Sequence, residues 1–327
     1  MKKQVTLAFS FLLLFSAQIV SAQQNENGRK KYEFVKQKDM SNTYPSTNKL
    51  TIENSFGNVK YIAWDKNEIK VDVHIEVSAT KDEVAKAIFE LIMVTNQQKD
   101  GGVEYKTSIK NNKEQEKCKD CKSNMSIDYE IHLPVSVTLN TSNSFGNTEL
   151  PDYKGPVDIN SKFGELTTGV LSNIKDISVE FGKASIKSAT NLDATFKFSQ
   201  ISIDNLSGKN VIKLEFCDNT RISLAADITS LSLHDSYSTV NLRPGSIGAD
   251  YSISTSFGDF VDRTGVGIKR TDKPDQYGPD SDRKFSGQSG NGNAKIEIKS
   301  SFGKIVLGEP NADDLKAMEK KKKGKTI

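Results

Sequence analysis

The feature that most restricts this chain is a short motif that keeps returning. Asn54-Ser55-Phe56-Gly57-Asn58 recurs unchanged as Asn143-Ser144-Phe145-Gly146-Asn147. Looser copies follow around Phe163, Phe181, Phe198, Phe216, Tyr237, Phe257 and Phe302. From Phe145 to Phe257 the aromatic residues are 18, 18, 17, 18, 21 and 20 residues apart. A unit of this size cannot bury a hydrophobic face alone, so a sustained period near 20 residues implies stacked repeats.

Within each repeat the apolar residues alternate. Ile177 and Val179 are interleaved with Asp176, Ser178 and Glu180. After the Phe-Gly pair the alternation resumes at Ala184 and Ile186, Ile201 and Ile203, Val240 and Leu242, and Ile305 and Leu307. Period two is the signature of strands, and the phase break at Phe-Gly marks a corner or bulge. Continuing the first alternation puts Phe181 on the side of Ile177 and Val179. The pattern therefore predicts that Phe56, Phe145, Phe163, Phe181, Phe198, Phe216, Tyr237, Phe257 and Phe302 form one buried column. The expected fold is all-β: a parallel β-solenoid (β-helix) of about nine short coils. An antiparallel sandwich also has strands at similar spacing, but gives no reason for one dipeptide at every second turn.

Two stretches interrupt the repeat. Between Phe56 and Phe145, Ile69, Val71, Val73, Ile75 and Val77 alternate with polar residues. Thr80-Lys81-Asp82-Glu83 reads as a capping box, and Val84, Ile88, Leu91 and Ile92 carry helical spacing to about Val94. This β-α-β insertion is expected to cover the N-terminal end of the stack. The second stretch, 262–293, is rich in Gly, Asp, Pro and Lys and reads as a long loop in one coil. Cys217 falls where other repeats carry Gly or Ser, a position for a small residue.

The N-terminus resembles an export signal. Lys2 and Lys3 precede the apolar run Leu7–Phe15, and Val20-Ser21-Ala22 supplies a small-x-small site. The expected organisation is a signal peptide over 1–22 and a polar linker over 23–48. A first coil with its capping region covers 49–142, β-solenoid repeats cover 143–309, and a basic tail covers 310–327. The formal net charge of +3 gives no bias toward nucleic acid, and no other stretch is apolar enough to span a membrane. Cys118 and Cys121 lie in a charged loop, and in an oxidising compartment they are expected to form a local disulfide. A structural zinc site would need four ligands, for which there is no second Cys-x-x-Cys and no paired histidines.

The Ser-Phe-Gly repeats, the strand Ile131-His132-Leu133-Pro134 and the helical insertion together resemble the adhesin-like β-strand-repeat family of bacterial envelope proteins. The likeness covers about residues 49 to 308. It implies a β-solenoid in the cell envelope and supplies no catalytic residues.

The chemistry-bearing residues do not assemble into a site. His74 and His132 fall on the polar phase of their strands. His234, Asp235 and Ser236 are consecutive on a strand, so they point to alternating faces and cannot converge as a triad does. Ser301-Phe302-Gly303-Lys304 matches Ser-x-x-Lys, but it is one copy of the repeat. No cofactor or metal is expected. The leading expectation is an exported, non-catalytic protein of the periplasm, envelope or extracellular space, binding or scaffolding an envelope protein or glycan. The alternatives are a carbohydrate-active enzyme with Asp158, Glu180, Glu215 and Asp218 lining a groove, and a component of envelope-stress signalling.

Overall fold

The structure is a computed structural model that describes residues 32–110, 121–274 and 279–314. The chain enters as β1 (Phe34–Pro45), β2 (Lys49–Ser55), β3 (Val59–Ala63) and β4 (Glu68–Ala79), then forms α1 (Asp82–Leu91). It continues through β5 (Ile92–Lys99), β6 (Gly102–Ile109), β7 (Ser123–Leu133), β8 (Thr138–Ser144) and β9 (Thr148–Leu150). Next come β10 (Val157–Lys162), β11 (Glu165–Leu171), β12 (Ile174–Glu180), β13 (Lys183–Thr190) and β14 (Asp193–Lys197). Two long strands, β15 (Gln200–Glu215) and β16 (Thr220–Ser236), lead to β17 (Thr239–Arg243), β18 (Ala249–Ser256) and β19 (Asp259–Asp262). The chain closes with β20 (Lys269–Arg270), β21 (Asp282–Ser289), β22 (Ala294–Ser301) and β23 (Lys304–Leu307).

These strands make one large mixed sheet arranged as two rows that meet at the aromatic corners. The strands before each corner pair in the order β6, β2, β8, β10, β12, β14, β15, β16, β22, β18, all parallel. Those after each corner pair in the order β7, β3, β9, β11, β13, β15, β16, β17, β23, β19, again parallel. The register is one repeat, with Val179 opposite Ser161 and Phe196 opposite Val179. Antiparallel strands finish both ends. β5 lies outside β6, and β4 and then β1 lie outside β7. At the far end β21 lies outside β18, with β20 beyond it.

The core lies between the rows. Residues two and four before a corner and three and five after it point inward, so Ile177, Val179, Ala184 and Ile186 are all buried. Cys217 is buried as well, its thiol donating to the Phe196 and Glu215 carbonyls at 3.2 and 3.4 Å. Burial pushes that thiol up to about 11.

The aromatic column is not in this core. Phe56, Phe145, Phe163, Phe181, Phe198, Tyr237, Phe257 and Phe302 are between 37 and 58% exposed, and Phe216 is half-buried. The expectation of a buried column is therefore wrong, and the reason is local. All nine aromatics sit in the left-handed backbone region, with φ between 50 and 64°. One residue there breaks the strand alternation, so the side chain that should follow Val179 inward turns out at the corner instead.

Other expectations need adjusting. α1 forms without the capping box: Lys81 is its N-cap and makes no side-chain cap bond. The helix packs on β1 and β4, with Ala85 buried. The stretch 23–48, read as linker, contains β1, whose partly polar sequence is held by full-length pairing with β4. The loop 262–293 contains β20 and β21, and its Val266, Ile268 and Phe285 pack against the core. The layers do not follow chain order: β22 and β23 lie between the layer of Tyr237 and the layer of Phe257. Residues 1–22 and Cys118 lie outside the described residues, as does the tail beyond Asp314.

A surface ladder of aromatic rings as the candidate functional site

The Phe-Gly corner is built from two needs. The aromatic residue bends the chain in the left-handed region, which costs a side-chain-bearing residue about 1–2 kcal/mol. The residue after it lies against the backbone of the adjoining layer. A Cβ on Gly146, Gly164 or Gly182 would overlap the carbonyl oxygen of Gly57, Gly146 or Gly164 in turn. Three successive repeats place Ser199, Cys217 and Ser238 there, each using its side chain, before glycine returns as Gly258 and Gly303. Ser199 Oγ donates to the Lys197 carbonyl at 2.7 Å, and Ser238 Oγ to that of Ser236 at 3.0 Å.

The corners are tied to one another. The amide of Phe163 donates to the Glu180 carbonyl at 3.0 Å, that of Phe181 to Lys197 at 3.0 Å, and that of Phe198 to Glu215 at 2.9 Å. The rings then stack face to face. Centroids are 4.7 to 5.1 Å apart and planes within 8°, in the order Phe56, Phe145, Phe163, Phe181, Phe198, Phe216, Tyr237, Phe302, Phe257. Each offset stack is worth about 0.5–1.5 kcal/mol, comparable to the backbone cost it offsets. Neighbouring rings cover one another's faces, so the ladder presents ring edges to solvent over roughly 40 Å, taking eight strand spacings.

The identical first two motifs have a further role. Asn54 and Asn143 are buried, and Asn54 Nδ2 donates to Asn143 Oδ1 at 3.2 Å and to the Ile127 carbonyl at 3.0 Å. On the other side of the corner, Asn58 Oδ1 accepts from the Asn147 amide at 3.0 Å, and Asn147 Oδ1 from the Glu165 amide at 2.9 Å. At the outer position the next layers are joined by charge instead, Lys183 to Glu165 at 2.6 Å, whereas at the buried position they carry Ser161, Val179 and Phe196.

Polar rows run beside the ladder. Immediately before the aromatics, Lys162 pairs with Glu180 at 3.3 Å and Lys197 with Glu215 at 3.2 Å. Five residues before, Asp158 stands opposite Asp176, and Asp193 holds the same place in the next repeat, just ahead of the Ile177–Ala194 pair. Asp176 is raised above the usual carboxylate range, by burial first and then by Asp158 and Asp193. Three residues before, Lys213, His234 and Lys299 face one another on β15, β16 and β22. Sequence reasoning missed both rows; counting back from each aromatic in every repeat would have found them.

The four carboxylates considered for glycan cleavage do not gather. Glu180 and Glu215 are held by their lysines, and Asp158 belongs to the aspartate row. Asp218 lies on the other side of the corner. His132 stacks on Trp64 at 5.1 Å. His74 Nδ1 lies 2.7 Å from Asp39 Oδ1, and that contact, opposed by burial, raises the imidazole above its ordinary value. Among the described residues no three His, Cys, Asp or Glu side chains are grouped to hold a metal, and no helix is long and apolar enough to cross a membrane.

No family model matches the chain, and no curated protein matches it. Solved structures do. A "putative adhesin" of Bacteroides fragilis is 12% identical, covering 83% of this chain and 97% of its own, with a TM-score of 0.40. A "putative adhesin" of Parabacteroides merdae is 11% identical, covering 85% and 97%, with a TM-score of 0.33. A "putative cell adhesion protein" of Clostridium sporogenes is 13% identical, covering 84% and 100%, with a TM-score of 0.21.

Proposed function

We propose that this chain is an exported, non-catalytic β-solenoid protein of the cell envelope that binds or scaffolds through its aromatic-bordered face. The observation that carries the reading is the ladder itself: nine rings, one per repeat, on the outside of a rigid parallel stack. An interior column would need no function beyond stability. An exterior one leaves apolar surface in water along the whole length, and contiguous exposed apolar surface marks interaction sites. The one-repeat register supports a solenoid closed at each end by antiparallel strands, which also guards its edges against uncontrolled pairing. The signal-like N-terminus supports export, and a local Cys118–Cys121 disulfide suits the same compartment.

The test is co-sedimentation of the purified protein with isolated envelope sacculi and their polysaccharide. Wild type is expected in the pellet, and a Phe163→Ser, Phe181→Ser, Phe198→Ser variant in the supernatant. New reducing ends or unsaturated sugar products would overturn the non-catalytic reading. N-terminal sequencing of material from fractionated cells should begin near Gln23; an intact Met1 in the cytosol would refute export.

A further inference from the structure

We propose that the outer face of the strands leading to Phe216, Tyr237 and Phe302 binds a short acidic stretch of a glycan, with carboxylates on successive sugars. The inference rests on the binding reading above and names the ligand class and the residues that meet it.

Register alone builds this site. Lys213 on β15 stands opposite His234 on β16, and His234 opposite Lys299 on β22. All three side chains are exposed. Nearer the corner, Ser236 and Ser301 stand opposite each other, half-buried, between this column and the rings. The column, the two serines and the edges of Phe216 and Tyr237 line an open groove of about 690 Å³, within the roughly 300–1,000 Å³ of small-molecule sites.

The charge of the groove is positive. On the stretches leading to the three corners, Lys209, Lys213, Lys295 and Lys299 face outward against Glu215 and Glu297. Four lysines against two glutamates leave a surplus of two before His234 is counted. Asp235 lies on the same stretch but points into the core. Glu215 is held by Lys197 at 3.2 Å, and Glu297 by Lys299 at 2.7 Å. An exposed pair of this kind is weak, so Lys299 can turn to a ligand. Lys213 has no such carboxylate within ion-pair distance.

The flanks limit what fits. The column continues into the neutral Thr195 on one side and Ser254 on the other. Beyond them stand Asp193 and, at the far end, Asp250 and Asp282. An anion is therefore favoured over three layers and repelled on both sides. Strands lie about 4.8 Å apart, and an extended glycan advances by about that much per sugar, so three successive carboxylates meet Lys213, His234 and Lys299 in turn. The serine hydroxyls are placed for the sugar oxygens, and neutral sugars beyond run on along the ring edges. A broad anionic surface such as a membrane, laid on the ladder, would press on the flanking aspartates as well. Nor does the ladder suit bases: the rings of Phe216, Tyr237 and Phe302 stack on their neighbours at 4.8 to 5.1 Å and leave no free platform between them. What they show to the groove is the positive rim of the ring, which suits carboxylate and sugar oxygens.

The test is isothermal titration of the purified protein with trigalacturonate and with its methyl ester, which keeps the sugars and removes the charge. Trigalacturonate is expected to bind, more weakly as salt rises, and the ester to leave the groove empty. Lys213→Glu with Lys299→Glu should bind at least about tenfold more weakly, at an unchanged urea midpoint that shows it folds. Lys213→Arg with Lys299→Arg should bind as wild type does. So should Lys86→Glu with Lys187→Glu, which changes net charge equally at two exposed lysines elsewhere. Equal losses in the two charge-reversed variants would reduce the effect to overall charge and overturn the site. An ester that binds as tightly as the acid overturns the role of the carboxylates. Phosphatidylglycerol vesicles held through Lys213 and Lys299, with trigalacturonate ignored, would give the groove to a lipid surface and refute the proposal. A protein that pellets with sacculi yet ignores trigalacturonate refutes the acidic-glycan assignment and leaves the binding reading standing; failure in both assays overturns both.

Discussion

Replacing Phe181 tests the corner geometry directly, because two substitutions that usually rank one way should rank the other. Phe181 is 48% exposed and stacks on Phe163 and Phe198 at 5.0 and 4.8 Å. Fully burying a Phe side chain is worth about 1.5–3 kcal/mol, so a half-buried ring contributes roughly 1. Two stacks add about 0.5–1.5 kcal/mol each. Phe181→Ala should therefore cost about 2–4 kcal/mol, at or below the lower part of the 3–5 typical of a buried Phe. Phe257 is 58% exposed and stacks only on Phe302, so Phe257→Ala should cost about half as much. Alanine keeps the left-handed strain and glycine relieves it, by about 1 kcal/mol. Phe181→Gly should thus be more stable than Phe181→Ala, although in an ordinary strand glycine is the worse of the two by 0.5–1 kcal/mol. Urea melts at unchanged m-value give the three differences. If the glycine variant is the less stable, the corner is not left-handed in solution; if Phe181→Ala costs about 5 kcal/mol or more, the ring is buried.

Three further outcomes follow from the rows and the core. Asp176→Asn should stabilise the protein at neutral pH by about 0.5 kcal/mol, since like charges across strands are unfavourable by roughly 0.2–1 kcal/mol. The penalty is absent at low pH and develops as pH rises through the raised Asp176 value, so the variant should lose its advantage in acid melts. His74 should titrate above 6.5 by NMR. A raised imidazole lends its stability fully below the ordinary value and loses it as pH rises through the folded one, so β1 amides should exchange faster above that point and Asp39→Asn should abolish the effect. Cys217, buried and held near 11, should resist thiol reagents in the native protein and react at once in urea; rapid native labelling would mean that the corner opens.

The alternation of Ile177 with Val179, and of Ala184 with Ile186, makes the strands and their inward faces legible in the sequence. So did Ile69 through Val77. The orientation of Phe181 could not be read the same way. Hydropathy patterns assume one backbone conformation throughout, and a single left-handed residue reverses the phase without changing composition. Nor could the stacking order be read, since Phe302 follows Phe257 in sequence but precedes it in the ladder. Layers that exchange places keep the same local pattern. Of the candidate site, the aromatics were visible as a repeat, whereas the aspartate and lysine rows were hidden. Each member is an ordinary exposed charge within its own strand, and it becomes a row only through one-repeat register.

The placement of the final repeat carries a consequence for biosynthesis. β22 and β23 are made after every other described strand, yet they occupy an interior position, with earlier strands on both sides. A chain growing from its N-terminus can lay down the layers through Tyr237 one upon another. It cannot then seat β18 and β19 in their final place, because the segment that separates them from Tyr237 has not been made. A chain that stops early therefore lacks a middle layer rather than an end, and its β16 and β18 edges stay unpaired. The molecule cannot be finished until these strands are in place, so an incomplete copy carries open strand edges that a whole one pairs.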